Sequence, residues 1–231
     1  MENLTLVIPA KNEKESLPYV IEELKKYNLK IIIVLEVNDV ETINSIKNLN
    51  CKILYQKNKG YGDALIQGIN SVESEYFCIF NADGSFDPKE LFSMYKKITE
   101  NNNDLIFASR YEKNCSSEDD TLITYLGNFL FTKLGQIFFK LKITDILYTY
   151  VMGKTEKFKR LKVKSDDFRF CVEFPIKMQI ANQIYISIPS YEKKRLGGKK
   201  KVNAFKDGFL ILTEMLRLFI YFKIFRNKII N

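Results

Sequence analysis

Residues 78–88 form the stretch CIFNADGSFDP, which indicates the kind of fold that the chain adopts. It starts as an apolar run typical of a buried β-strand, breaks at residues 81–84, and restarts at Asp87-Pro88 with the pattern of a helix start. Asp83 thus stands where a buried strand ends. It is either a turn residue or a carboxylate that binds a hard cation at the sheet edge. For Asp87, a helix cap is the favoured interpretation.

The same strand-to-helix pattern recurs on both sides of this stretch. Apolar runs predict strands at 4–10, 30–37, 52–56, 75–80 and 104–109, each separated from the next by a helix-length segment. We therefore expect an α/β fold with a Rossmann-like, mainly parallel sheet covered by helices on both faces. Ligands of such sheets bind at the carboxyl ends of the strands. The unusual polar residues fall at these ends: Asn12, Glu13, Glu36, Asn38, Asp39, Asn81, Asp83 and Arg110.

A glycine pair follows the third predicted strand, in NKGYGDALIQG (58–68). Gly60 and Gly62 open a predicted helix, where they would let backbone N–H groups approach a ligand closely. The alternative is that they serve only the turn, because the pattern is neither a P-loop nor GxGxxG after a strand.

Composition excludes several classes of site. The chain of 231 residues contains no histidine, which removes Ser-His-Asp and Cys-His triads and His-ligated zinc. Its four cysteines form no CxxC pair, and no signal peptide pattern precedes the first strand. We therefore expect a reducing, cytoplasmic setting.

The net charge of +8 lies in the C-terminal part of the chain. Residues 191–231 hold eleven Lys or Arg against three acidic residues, so residues 1–190 are neutral overall. Such a basic segment suits nucleic acid, anionic lipid or a phosphorylated substrate. No nucleic-acid-binding motif is present, and the Phe and Leu clusters of the segment suit lipid better than base stacking, so we expect no nucleic acid partner.

Seven segments together carry a family resemblance: VIPAKNE (7–13), NKGYGDALIQG (58–68), NADGSFDP (81–88), ASRY (108–111), ITDILYTYVMG (143–153), FCVEFPIKM (170–178) and RLGGKKK (195–201). In this order they resemble the motifs of family 2 glycosyltransferases of the GT-A fold. They are most similar to those of the dolichol- and polyprenyl-phosphate mannosyl- and glucosyltransferases. The resemblance covers roughly residues 4–205.

The resemblance implies a donor site. Members of the family hold a nucleotide-sugar, here of the GDP-mannose or UDP-glucose type, on a divalent cation, and an acceptor attacks the anomeric carbon with inversion. Asp83 would be the main ligand of Mg²⁺ or Mn²⁺, with Asn81 and Ser85 beside it, and Asp83, Arg110 and Arg195 would be catalytic. The nucleotide-sugar pocket would be formed by Pro9, Asn12, Glu13, Glu36, Asn38, Gly60, Asn81, Ala82 and Asp83.

Three residues depart from the family pattern. Asn81 replaces the first Asp of the D-A-D motif, Ser85 stands where Gln is common, and Lys11 replaces a Tyr of the opening motif. The loss of one negative charge should lower metal affinity. The alternative to an active transferase is therefore a catalytically silent relative that binds a nucleotide or a membrane partner.

The acceptor implied by the resemblance is a polyprenyl or dolichyl phosphate. Its nucleophile is already anionic, so it needs cations that position it rather than a strong base. The candidates are Arg110, Arg195, Lys199 and Lys201, although residues 193–201 also suit a solvated basic loop.

Two apolar stretches, 122–143 and 208–225, are interrupted by charges and suit helices that lie in a membrane interface or pack on the core. For the second stretch we favour the membrane. We expect a transferase domain at 1–205 and a membrane-associated amphipathic helix at 206–231. The protein would then be peripheral at the cytoplasmic face of a membrane, where a separate membrane protein partner is possible.

Overall fold

The computed structural model describes residues 1–113, 115–198 and 201–225. The strands within them are β1 (Leu4–Pro9), β2 (Lys30–Leu35), β3 (Lys52–Tyr55), β4 (Tyr76–Ile79), β5 (Leu105–Ser109), β6 (Val151–Lys154) and β7 (Tyr185–Pro189). The helices are α1 (Leu17–Leu24), α2 (Val40–Ile46), α3 (Tyr61–Asn70), α4 (Glu90–Glu100), α5 (Leu122–Phe139), α6 (Thr155–Arg160), α7 (Phe170–Ile180) and α8 (Ala204–Phe225). All five strands predicted from the sequence are confirmed.

In the described part of the chain, the strands form one sheet in the order β3-β2-β1-β4-β6-β5-β7. The pairs β1–β2, β1–β4, β2–β3 and β5–β7 are parallel, whereas β6 runs antiparallel to both β4 and β5. The predicted mainly parallel sheet is therefore confirmed. Because β1, β2 and β4 are parallel neighbours, their carboxyl ends meet at one edge.

Helices cover the sheet on both faces, as predicted. One apolar cluster contains side chains of α1, α2 and α4, including Leu17, Ile46 and Met94. The other contains side chains of α3, α5, α6, α7 and α8, including Leu65 and Phe174. The central strands are mostly apolar because both of their faces are buried.

Asp87 is not the cap of α4. The helix begins at Glu90, and the Asp87 carboxylate accepts the N–H of Lys89 at 3.1 Å, one turn before the helix. The Asp87 carbonyl oxygen also accepts the N–H of Glu90 at 3.1 Å. Asp87 therefore stabilises the turn that leads into α4, which corrects the predicted capping role.

The last helix is part of the packed body of the chain. Helix α8 packs on α5 and α7, and its side chains Ile211, Met215 and Leu218 are buried in the same apolar cluster as theirs. The predicted boundary between residues 205 and 206 falls within α8, near its start. Residues 226–231 lie outside the described part of the chain.

Candidate functional site

A cavity of about 510 Å³ lies at the carboxyl ends of β1, β2 and β4. Its volume falls within the range of small-molecule sites. The remaining walls come from the ends of β3 and β5, the start of α3, the loop between α5 and β6, the start of α7, α8, and the side chains of Glu192, Arg195, Lys201 and Val202. Most of the predicted site residues line it: Pro9, Glu13, Glu36, Gly60, Asn81, Ala82, Asp83, Arg110, Arg195 and Lys201.

Asp83 follows β4 and faces this cavity, as the strand-end argument predicts. Its Oδ1 accepts the N–H of Ser85 at 3.0 Å, which fixes the carboxylate within its own turn. Asn81 lines the cavity beside it and donates from Nδ2 to the hydroxyl of Ser85 at 3.1 Å. Ser85 itself is buried and is not part of the cavity wall. Ser85 therefore lies where it orients Asn81, and its role as a direct metal ligand stays a prediction.

Arg195 connects the Asp83 carboxylate to a second carboxylate. Its Nε and Nη2 contact the two oxygens of Asp119 at 3.0 and 2.6 Å, and its Nη1 lies 3.5 Å from Oδ2 of Asp83. The hydrogen bond to Asp119 raises the pKa of Arg195 although partial burial lowers it, and the charge of Asp83 adds to the rise. Arg195 is therefore held as a cation beside the predicted cation ligand.

The backbone around Arg195 is fixed to the turn that carries Asp83. The N–H of Leu196 donates to the carbonyl of Asp83, and the N–H of Lys193 donates to that of Ser85, both at 2.8 Å. Gly84 has φ +81°, and a Cβ on it would lie 2.7 Å from the Leu196 side chain. Residues 193–196 therefore rest directly on the loop after β4, which places the basic segment at the cavity.

Two further ion pairs line the cavity at the ends of β1 and β2. Lys201 Nζ lies 3.0 Å from Oε1 of Glu13, whose Oε2 accepts the hydroxyl of Ser16 at 2.7 Å. Lys11 Nζ lies 2.8 Å from Oε1 of Glu36. Lys11, which departs from the family pattern, therefore pairs with the acidic residue at the end of the second strand.

Asn12 and Asn38 were predicted to bind nucleotide-sugar, but neither lines the cavity. Asn12 has φ 53°, and its N–H donates to Oδ2 of Asp39 at 2.7 Å, so it shapes the turn after β1. Asn38 is exposed beyond the end of β2. The strand-end argument placed these residues at the correct edge but could not tell which side chains turn inward. Lys199, a predicted acceptor residue, lies outside the described residues.

The glycines at the start of α3 serve close packing of the chain. A Cβ on Gly60, which has φ +120°, would lie 2.1 Å from the carbonyl oxygen of Asp166, and one on Gly62 would lie 2.1 Å from that of Ser165. The N–H of Asp63 donates to the Asp166 carbonyl at 2.9 Å. This loop therefore accepts a hydrogen bond from one of the backbone N–H groups in the first turn of α3. Gly60 also forms part of the cavity wall.

Arg110 lines the cavity, but its guanidinium is already hydrogen-bonded to two carboxylates. Nε and Nη2 bond to the two oxygens of Asp145 at 2.7 and 3.0 Å, and Nη1 lies 3.0 Å from Glu192. Burial lowers the pKa of Arg110, but the charges of Asp145 and Glu192 outweigh it and hold the pKa well above its ordinary value. The guanidinium also stacks over the Tyr148 ring at 4.6 Å. The geometry therefore makes Arg110 a support of the wall, and its role as an acceptor ligand stays a prediction.

One end of the cavity is walled by apolar and aromatic side chains. The rings of Tyr61 and Phe168 stack at 5.1 Å, and the Tyr61 hydroxyl lies 2.6 Å from that of Thr149. Ile211 of α8 and Cys171 of α7 also contribute. Burial raises the pKa of Cys171 to about 12, so its thiol stays protonated at neutral pH and is no nucleophile.

The charges that line the cavity balance. Among the described residues, four cationic side chains line it, and so do four carboxylates: Lys11, Arg110, Arg195 and Lys201 against Glu13, Glu36, Asp83 and Glu192. A bound diphosphate would therefore add uncompensated negative charge. The described residues contain no cluster of three or more His, Cys, Asp or Glu that could hold a metal ion. Asp83 and Asn81 instead fit a hard cation for which they are the two protein ligands. Its other ligands would be phosphate and water oxygens, as is common for Mg²⁺.

Several residues of this site were missed from the sequence. Asp119, Asp145 and Glu192 anchor the two arginines, and Tyr61 and Phe168 wall the apolar end. The I-x-D resemblance around residues 143–153 was the only sequence signal for Asp145. Asp119 and Glu192 lie in irregular segments and reach the site only through the packing of distant parts of the chain.

Comparison with known proteins identifies the family. Residues 5–162 match the family described as Glycosyl transferase family 2. An uncharacterized protein of Methanocaldococcus jannaschii is 26% identical over 133 residues, which are 55% of each chain. The glycosyltransferase GlyG of Streptococcus pneumoniae is 26% identical over 146 residues, which are 59% of this chain and 46% of GlyG. The matched segments span about half the length of these curated relatives.

Solved structures share the fold. Glucosyl-3-phosphoglycerate synthase of Mycobacterium tuberculosis superposes with a TM-score of 0.73 at 11% identity, over 93% of this chain and 79% of that one. Mannosyl-3-phosphoglycerate synthase of Rubrobacter xylanophilus gives 0.69 at 13% identity, over 97% and 74%. The predicted GT-A fold is therefore confirmed.

Proposed function

Because the chain belongs to glycosyl transferase family 2, we propose that it transfers a sugar from a nucleotide-sugar to a polyprenyl or dolichyl phosphate, with inversion at the anomeric carbon. The acceptor phosphate oxygen forms a bond to that carbon while the bond to the diphosphate breaks, and a nucleoside diphosphate leaves. The donor is of the GDP-mannose or UDP-glucose type.

The observation that carries this proposal is the placement of Asp83 in a charge-balanced cavity at the ends of parallel strands. Asp83 and Asn81 would hold Mg²⁺ or Mn²⁺, which as a Lewis acid neutralises the charge that develops on the departing diphosphate. The M. tuberculosis synthase has been solved in complex with Mn²⁺, UDP-glucose and phosphoglyceric acid, which supports this arrangement for a chain of the same fold.

The residues near Asp83 suggest how the chain positions its substrates. Arg195 contacts Asp83, so we assign it to the phosphate groups of the donor or the acceptor. Lys201 pairs with Glu13 across the same cavity and supplies a second cation. Since the acceptor is already an anion, binding and orientation by these cations replace a catalytic base.

The acceptor class rests on the apolar end of the cavity. Its wall of Tyr61, Leu147, Phe168, Val202 and Ile211 suits the first carbons of a prenyl chain attached to the phosphate. A small phosphorylated acid would leave this apolar surface without a partner, whereas a lipid phosphate matches both the cations and the apolar wall.

A transfer assay with purified protein tests the proposal. GDP-mannose and UDP-glucose are each supplied with Mn²⁺ and a detergent-dispersed polyprenyl phosphate, and glycosylated lipid is measured by mass spectrometry. We expect product that requires Mn²⁺ and disappears in Asp83→Ala but not in the exposed control Glu41→Ala. Product with 3-phosphoglycerate alone would overturn the acceptor class. No product with either acceptor, together with intact nucleotide binding, would favour a silent relative.

A further inference from the structure

Helices α5 and α8 carry more than half of the exposed large hydrophobic side chains of the described residues. Typical ones are Leu126, Phe129 and Leu130 on α5, and Phe209, Leu216 and Ile220 on α8, each between 52% and 66% exposed. Soluble monomers seldom expose contiguous apolar patches of this kind without a binding role.

The two exposed stripes lie side by side because α5 and α8 pack on each other. The ring of Phe219 on α8 lies 5.0 Å from that of Phe138 and 6.1 Å from that of Phe139, both on α5. The outward sides of the two helices therefore form one surface, which we call the α5–α8 face. Among the described residues, no helix is both long and apolar enough to span a bilayer.

The charges around the α5–α8 face are almost all positive. Helix α5 contains no acidic residue, and Lys133, Lys206 and Lys223 are exposed. Of the two acidic residues of α8, Glu214 is buried and paired with Arg217, whereas Asp207 is half-buried and accepts the N–H of Asn203 at 2.6 Å. A second copy of the chain would bring these cations against each other, whereas an anionic lipid surface complements them.

The inward sides of the same helices build the apolar end of the cavity. Ile211 of α8 lines the cavity directly. On α5, Oδ1 of Asn128 accepts the N–H of Leu147 at 3.1 Å, and the hydroxyl of Thr132 accepts the N–H of Ile146 at 3.2 Å. These bonds hold the loop that contributes Leu147 to the cavity wall. The α5–α8 face and the apolar end of the cavity are thus two sides of one layer.

We infer that the α5–α8 face docks on the surface of an anionic lipid bilayer, with its apolar side chains inserted among the headgroups and its lysines on lipid phosphates. Docking would place the apolar end of the cavity next to the bilayer. This surface goes beyond the proposed transfer, because it predicts vesicle binding that needs neither donor nor acceptor.

Vesicle flotation tests the inference. The full chain is mixed with vesicles of phosphatidylcholine, or of phosphatidylcholine and phosphatidylglycerol in equal parts, without nucleotide. We expect binding to the anionic vesicles that weakens as salt is raised. The variant Phe209→Gln/Leu216→Gln/Ile220→Gln should bind about tenfold more weakly or worse, because three inserted apolar side chains are lost. The matched control Tyr19→Gln/Phe92→Gln, exposed on the other face of the sheet, should bind like wild type.

A second set of variants tests the role of charge by replacing the three exposed lysines. Lys133→Gln/Lys206→Gln/Lys223→Gln should lower binding to anionic vesicles by about fivefold per lysine, and Lys47→Gln/Lys96→Gln should leave it unchanged. Circular dichroism checks that each variant keeps its helical content. Wild type that does not bind anionic vesicles, or an α8 variant that binds as well as wild type, would overturn the inference. Self-association that the α8 substitutions abolish, without vesicle binding, would assign the face to a second copy instead.

Discussion

Replacing Asp145 by Asn tests whether Arg110 is a structural support or a free ligand. The Asp145 side chain is fully buried, and it accepts two hydrogen bonds from the Arg110 guanidinium, one from the Arg110 N–H and a fourth from Asn128. The substitution preserves shape but removes the charge, so Arg110 would keep only Glu192 as a charged partner. Breaking one side of a buried ion pair typically costs about 3–5 kcal/mol, because the remaining charge stays buried and under-compensated.

Urea unfolding followed by circular dichroism measures this loss. We expect Asp145→Asn to lower the free energy of unfolding by about 3 kcal/mol or more. The control Glu41→Gln breaks the exposed pair with Lys14 and should leave the free energy of unfolding nearly unchanged. A loss for Asp145→Asn no larger than that of the control would refute the supporting role of the Arg110 network.

Three further predictions concern the cavity. Asn81→Asp adds a carboxylate beside Asp83 and should tighten Mn²⁺ binding by about fivefold or more, measured by calorimetry; unchanged affinity would place residue 81 outside the cation site. Gly60→Ala should destabilise the fold by about 2 kcal/mol or more in urea unfolding, because its Cβ would meet the Asp166 carbonyl at 2.1 Å; a neutral effect would contradict the close packing. Arg195→Ala should lower transfer to a detergent-dispersed lipid phosphate about tenfold or more while vesicle binding stays normal, since one charge-assisted hydrogen bond is lost; normal transfer would exclude Arg195 from acceptor binding.

Most parallel strands were predictable because they are largely apolar runs, but β7, which pairs parallel with β5, was not predicted. Strands β1, β2 and β4 are buried on both faces, so their sequences stand out from the segments between them. Strand β6 was missed because VMGK is short and contains Gly153, which gives it no strand-like pattern. It pairs antiparallel between β4 and β5, a position set by tertiary packing and not by its own residues.

The candidate site was predictable only where a side chain stands next to a strand end. Asp83, Glu13 and Glu36 were found in this way, since parallel strands bring their carboxyl ends together. The direction of each side chain depends on the turn, so the sequence did not show that Asn12 and Asn38 lie outside the cavity wall. The ion pairs of Arg110 and Arg195 join segments far apart in sequence, and no local pattern shows such partners.

The central claim is that Asp83 holds a cation that helps to bind a nucleoside diphosphate. Calorimetric titration of UDP and GDP into wild type and Asp83→Asn, with and without Mn²⁺, tests it most directly. The account predicts that Mn²⁺ strengthens binding of one nucleotide to wild type by about tenfold or more, which is about 1.4 kcal/mol, and that Asp83→Asn loses this gain. Equal affinity with and without Mn²⁺, or an undiminished gain in Asp83→Asn, would contradict it.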